Sequence, residues 1–287
     1  MKGKTMKHHN VNGIALAVSD SGKGRPVILV HGFPFDHSMW DALTVELTAK
    51  STTPDGAGQY RIIAPDLRGF GGSKGPTAPG STVTMEQHAD DLASLLYSLQ
   101  IADKIALCGL SMGGYVAMAF ARKYAAKLSS LILCDTRAGS DTPEIAGNRC
   151  RLAEELDHDK RTLESVAVDM LPKLLTPETI QNAPQTIRVA TGMMTRHRPF
   201  GLAASSRGMA ERPDSTQLLQ DLDIPILVLR GSEDVPASRE EMEAMATRAK
   251  HGRYEEVDGA GHLGPMERPA GYAATILRFL EDPMGNG

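Results

Sequence analysis

Residues 108–115 read CGLSMGGY and set a serine between two glycines, one residue removed on each side, straight after the strand-like run KIAL. A serine hydroxyl is a poor nucleophile near neutrality and needs an adjacent base. On a sharp strand-to-helix turn, Ser111 would stand clear of the sheet, and Gly109 and Gly113 would remove side chains that collide across the turn. The motif alone also fits an ordinary glycine-rich loop, so its partners decide its meaning. Of nine histidines, His262 in "GAGHLGP" is the best-placed base. Asp234 in "GSEDVP" is the preferred acid to orient it, which gives the chain order Ser…Asp…His. Asp135, at the end of the strand after the nucleophile helix, stays a rival acid. Glu233 would point elsewhere from the same loop, and Asp258 is too near His262 in sequence.

Acyl transfer also needs donors for a developing oxyanion. Two backbone N–H groups are expected, those of Met112, just after the serine, and Phe33 in the "HGFP" loop, with Gly32 permitting that turn. By loop position, Phe33, Phe35, Trp40 and Met112 are expected to wall an apolar pocket. His31 precedes a glycine turn and is read as bracing its loop. The stretch "DLRGFGGSKG" (66–75) matches neither dinucleotide nor P-loop spacing, so Asp66 and Arg68 are read as loop braces. No His/Cys/Asp/Glu cluster has metal-ligand spacing. The expected chemistry therefore uses neither a metal nor a cofactor.

These residues need a scaffold that brings distant loops to one edge. Asn12-Gly13 marks a hairpin between "KHHNV" and "IALAVSD". "PVILVHG" (26–32) is a continuous apolar run, as in a strand covered on both faces. A helix over 37–50, a strand over 60–67 and a helix opened by Thr84 follow. Then come the strand "KIALCGL", a helix over 112–124 and the strand "LSSLILCDT" (128–136). Such alternation predicts a mostly parallel sheet wrapped by helices. From 138 to 217 there is no convincing strand. Thr142-Pro143 and Thr176-Pro177 read as helix starts, and Pro172, Pro184, Pro199 and Pro213 as breaks between short helices. Alternation resumes with "IPILVLRG" (224–231), a helix near 236–249, the strand "RYEEVDG" (253–259) and a helix near 266–282. The expected division is a core over 1–137 and 218–287 with a helical lid over 138–217. Ligands of open parallel sheets bind beyond the carboxyl ends of the strands, where all four loops fall.

Composition sets the outer limits. The chain has 287 residues, 41% hydrophobic and 23% charged, with a formal charge of −4 and no long run of either sign. That mixed surface gives no footing for a nucleic-acid binder. No apolar stretch reaches the roughly 18–20 residues of a membrane span, and the start, MKGKTMKHHNVNG, lacks the apolar segment of a signal peptide. Cys108, Cys134 and Cys150 show no CxxC spacing, so a reducing cytoplasm is the expected setting.

Together, "HGFPFDHSMW", "APDLRGFGGS", "GLSMGGY", "GSEDVP" and "GAGH" resemble the α/β-hydrolase fold family in order, across roughly residues 10–282. The tighter resemblance is to its 3-oxoadipate enol-lactonase, arylesterase and non-haem haloperoxidase branch. It implies an eight-stranded, mostly parallel sheet, a helical lid inserted after strand 6, and a cofactor-free serine hydrolase acting on a small ester or lactone. The same triad also serves C–C bond hydrolases and perhydrolases. Another possibility from a different class is a non-catalytic sensor binding a small ligand under its lid.

Overall fold

The Asn12-Gly13 pair turns the chain through two positive φ angles, 44° and 80°, as a two-residue hairpin loop of the primed type requires. It joins β1 (Lys7–Val11) to β2 (Ile14–Gly22), with Val11 opposite Ile14. A computed structural model describes residues 6–50 and 59–285. Beyond the hairpin, β3 (Arg25–Val30), β4 (Tyr60–Pro65), β5 (Ile105–Leu110), β6 (Leu128–Cys134), β7 (Ile226–Gly231) and β8 (Gly252–Val257) complete one sheet in the order β1-β2-β4-β3-β5-β6-β7-β8. The pairings of β1 with β2 and of β2 with β4 are antiparallel, and every other pairing is parallel.

Burial follows strand position. Strands β5 and β7 are buried at every residue, whereas the edge strand β8 buries only Val257. Helices cover both faces, as continuous apolar strands demand. Among them are α1 (Asp41–Lys50), α2 (Met85–Ser98), α3 (Met112–Tyr124), α10 (Arg239–Arg248), α11 (Gly264–Glu267) and α12 (Pro269–Glu281). The α1 helix packs against α12, and α2 against α3. The expected helix over 37–50 begins as a 3-10 turn at His37–Trp40, because the Asp36 carboxylate accepts the Ser38 N–H at 2.9 Å and winds the first turn tightly.

Between β6 and β7 the described chain forms no strand. It runs through α4 (Pro143–Asp157), α5 (Leu163–Leu174), α6 (Pro177–Asn182), α7 (Pro184–Thr195), α8 (Pro199–Ala210) and α9 (Thr216–Asp221). Thr142 and Thr176 cap their helices by accepting the N–H groups of Ile145 and Thr179, with proline at the first helical position. Pro184 and Pro199 open helices likewise. Pro172 does not act as a break: it lies inside α5. It faces outward there, as does Val168 four residues before it, so solvent can serve the carbonyl that loses its donor. Arg196 and His197, between α7 and α8, tie this helical segment to the loop after β3. His197 Nε2–H donates to the Pro34 carbonyl at 3.0 Å, and the Gly71 N–H donates to His197 Nδ1 at 3.0 Å.

Candidate active site

Ser111 occupies the turn between β5 and α3 with φ 54° and ψ −115°, a conformation costing a non-glycine residue about 1–3 kcal/mol. The neighbouring strand holds it there. The Ser111 N–H donates to the Cys134 carbonyl at 3.0 Å, and the Thr136 hydroxyl donates to the Ser111 carbonyl at 2.8 Å. The flanking glycines are steric necessities. A Cβ on Gly109 would lie 2.1 Å from the Gly113 carbonyl oxygen, and one on Gly113 would lie 2.1 Å from that of Val30.

His262 stands in the loop after β8. Its Nδ1–H donates to the Asp234 carboxylate, 3.0 Å from each oxygen, and both side chains are buried. Asp234 sits in the turn after β7, where its own N–H donates to the Gly231 carbonyl at 2.9 Å and the Ala237 N–H donates to its carboxylate at 3.3 Å. Glu233 and Asp258 both face solvent. Asp135 is buried beside the pair but not bonded to the imidazole. Its carboxyl accepts the Gly231 N–H at 2.7 Å and the Tyr272 O–H at 2.6 Å. Among the described residues, neither the Ser111 hydroxyl nor His262 Nε2 is engaged in a hydrogen bond; both atoms belong to residues on the wall of one cavity. Such bonds are often loose before substrate binds. The backbone N–H groups of Phe33 and Met112 likewise find no partner among the described residues.

The cavity measures about 330 Å³ and includes Phe33, Ser111 and His262 in its wall. Its apolar side comes from the inserted helices, through Ile145, Met170, Leu174 and Met209. The three other expected wall residues lie elsewhere: Phe35, Trp40 and Met112 are buried in the core and do not line the cavity. The 3-10 turn capped by Asp36 aims Met39 and Trp40 inward, and fully burying a large apolar side chain gains about 1.5–3 kcal/mol. Tyr115, Arg137 and Arg149 are cavity residues to which the sequence reading gave no role. Tyr115 carries one signal: it is one helical turn beyond Ser111, on the same face of α3.

Supporting residues surround the site. Arg230 threads the Asp234 turn, donating to the carbonyls of Ser232 (3.0 Å), Asp234 (2.6 Å) and Ala237 (2.9 Å). Glu267 accepts the Gly261 N–H and the Thr176 N–H, both at 2.8 Å, so it joins the histidine loop to the start of α6. His31 braces its loop as expected. It accepts the Leu67 N–H at 3.0 Å and donates Nδ1–H to the Gly32 carbonyl at 2.9 Å, and burial lowers its pKa. Arg68 forks onto Asp91, at 2.7 Å for both bonds, and Asp66 receives the N–H groups of His37 and Gly72, both at 2.8 Å.

One group of ligand-type side chains escaped the spacing argument. Asp36, His37 and Asp66 bring an atom each within 4.8 Å of one another. Their oxygens already serve Arg196, Ser38, His37 and Gly72, and the Arg196 guanidinium supplies the positive charge there. Cys108 and Cys134 are buried free thiols, with sulfurs 3.7 Å apart. No described helix is long and apolar enough to cross a membrane.

Comparison with known proteins agrees with this architecture. The profile of the "Alpha/beta hydrolase family" matches residues 27–275. A thermophilic esterase from Thermogutta terrifontis, solved with malate bound, superposes with a TM-score of 0.88 at 44% identity, covering 98% of this chain and 99% of that one. The enol-lactonase from Burkholderia xenovorans LB400 gives a TM-score of 0.84 at 25% identity, covering 96% and 100%. In sequence, 3-oxoadipate enol-lactonase 2 of Acinetobacter baylyi is 25% identical over 223 residues, 78% of this chain and 79% of the relative. With its sheet order, its elbow and a profile match over most of its length, the chain belongs to the alpha/beta hydrolase family.

Proposed function

We propose that the protein hydrolyses small carboxylic esters or lactones through Ser111, His262 and Asp234. His262 takes the hydroxyl proton as Ser111 Oγ attacks the acyl carbon, and Asp234 holds the imidazole in the required tautomer. The N–H groups of Phe33 and Met112 stabilise the oxyanion. His262 then protonates the leaving alkoxide and activates water to release the acyl group.

The observation that carries this reading is the shared cavity: a serine on a strained elbow and a histidine bonded at 3.0 Å to a buried aspartate both face the same space. Similarity to an esterase and to an enol-lactonase supports it. Helices α4–α9 act as the lid, and their methionines Met170 and Met209 supply a pliable apolar wall. Buried free thiols suit a reducing, cytoplasmic setting.

The test is a substrate panel with p-nitrophenyl acetate and butyrate, a lactone and a ring-fission dienone. The expected result is turnover of the esters or the lactone, labelling by a fluorophosphonate probe, and loss of both in Ser111→Ala with folding intact. Unchanged turnover in Ser111→Ala, or hydrolysis of the dienone alone, would overturn the assignment.

A further inference from the structure

Both chain neighbours of His262 are hydrogen-bonded to one corner of the inserted helices. On one side the Gly261 N–H donates to the Glu267 carboxylate at 2.8 Å, and the other oxygen of that carboxylate accepts the Thr176 N–H at 2.8 Å. On the other side the Leu263 N–H donates to the Leu174 carbonyl at 3.2 Å. Leu174 ends α5 and Thr176 caps α6. Helix ends leave carbonyl and N–H groups without partners of their own, and leaving them buried and unanswered is costly. Leu174, Leu175 and Thr176 are buried, and the histidine loop answers both groups. The approach is close. A Cβ on Gly261 would lie 2.8 Å from a Glu267 oxygen, 3.1 Å from the Thr176 nitrogen and 3.2 Å from the Leu174 carbonyl oxygen. Arg268 bonds to the Glu267 carbonyl and to Glu178, so it leaves both Glu267 carboxylate oxygens to the two N–H groups.

The same corner walls the cavity. Met170, Lys173 and Leu174 of α5 line it together with Ser111 and His262. The Asp234 carboxylate holds the imidazole at Nδ1, whereas the place of Nε2 relative to Ser111 also depends on where the backbone of 261–263 stands. A displacement of about 1 Å between reacting groups can cost about 100-fold in rate. A carboxylate that takes no part in the chemistry can therefore still set it.

We propose that Glu267 is a positioning residue that ties the place of His262 to the α5–α6 corner, so that the base and the apolar wall move as one body. The inference rests on the reading of Ser111, His262 and Asp234 given above.

The experiment measures kcat and KM for p-nitrophenyl acetate and butyrate in Glu267→Gln, Thr176→Pro and Thr176→Val, well below each melting point. Glutamine keeps one acceptor oxygen but turns an amide N–H toward the second donor, so one of the two bonds is lost. Proline deletes the Thr176 N–H at a residue whose φ of −68° it can adopt, after an extended Leu175 that suits a following proline. Valine loses the same hydroxyl cap but keeps the N–H, so proline against valine isolates that bond. The expected kcat is about tenfold or more below wild type in Glu267→Gln, and about fivefold or more lower in Thr176→Pro than in Thr176→Val. A raised KM with kcat intact, or a lower Tm with both constants intact, would overturn the proposal. Hydrogen exchange reads the clamp without any substrate. In Glu267→Ala, which removes both acceptors, the Gly261 and Leu263 amides should exchange about tenfold or more faster than in the wild type, and equal rates would overturn the proposal. A wild type that neither turns over an ester nor reacts with a fluorophosphonate would sink the reading of the triad and leave Glu267 to the exchange result.

Discussion

Arg196 forks onto the carboxylate of Asp36 from 160 residues away, with Nε at 2.6 Å from one oxygen and Nη2 at 2.5 Å from the other. Asp36 is fully buried, and it also holds the Ser38 N–H and hydroxyl that start the turn before α1. One fork thus joins the inserted helices to the loop that carries Phe33. Arg196→Ala leaves Asp36 with Ser38 and, at 3.9 Å, the His37 ring. Because Arg196 is itself half exposed, the expected loss is about 1 kcal/mol, at the low end for a charged pair. Calorimetry should show a Tm a few degrees lower, and ester kinetics should show a raised KM as the segment over the cavity loosens.

Asp234→Asn keeps the shape of the side chain but lets the amide donate toward Nδ1, which favours the wrong imidazole tautomer. The expected outcome is a fall of about 10³–10⁴ in kcat with an unchanged circular dichroism spectrum. Retention of more than a tenth of the wild-type rate would return the acid's role to Asp135.

Gly113→Ala tests the elbow itself. The new methyl would meet the Val30 carbonyl oxygen at 2.1 Å and that of His31 at 2.9 Å, and both neighbours are backbone in the middle of the fold. Neither can yield without moving β3 away from α3. Destabilisation of about 3 kcal/mol or more is expected, seen as insoluble expression or a large drop in the denaturant midpoint.

Acid should destabilise the fold before it protonates most carboxylates. Burial lowers the pKa of His88 to about 3 and that of His197 to about 4, and it also lowers His31. Unfolded histidines titrate near about 6.5, so below that pH the unfolded chain binds more protons than the folded one. Each such histidine then removes about 1.4 kcal/mol per pH unit until its folded pKa is reached. His37 acts in the opposite sense: burial opposes its protonation, but the Asp66 carboxylate wins and raises its pKa. Asp135, which burial and then the Asp234 charge hold well above the usual carboxylate range, acts in the same sense as His37, and three against two leaves a net loss. Melting curves should move down steadily between about pH 6.5 and 4, and His197→Asn should flatten the slope. A Tm constant over that range would contradict the neutral buried rings.

Trp40 and Met170 should separate stability from selectivity. Trp40→Phe trims a core residue with no cavity exposure, so the Tm should fall while the ratio of butyrate to acetate turnover holds. Met170→Ala, on a half-buried wall residue, should leave the Tm nearly unchanged and raise relative activity on longer acyl chains.

The features readable along the chain are those whose causes lie within a few residues. Asn12-Gly13 makes its own turn, Thr142 and Thr176 cap the helices that follow them, and Gly109 and Gly113 clear the backbone around Ser111. The central strands were legible because their apolar runs are continuous, and the order Ser…Asp…His narrowed the partners to a few. The choice between Asp135 and Asp234 was legible only as a preference for Asp234 from chain order, since each follows a strand of the parallel sheet, and sequence carries no record of which carboxylate the His262 ring meets. Folding sets that through the register of β6 against β7 and through Arg230, which draws three carbonyls of the Asp234 turn around one guanidinium. The cavity wall escaped for the same reason. Phe35 and Trp40 stand in the right loop but turn inward under the Asp36 cap, while Met170 and Met209 arrive from helices far along the chain. Local chemistry is written in short spacings, whereas contacts between distant segments exist only once the whole chain has packed.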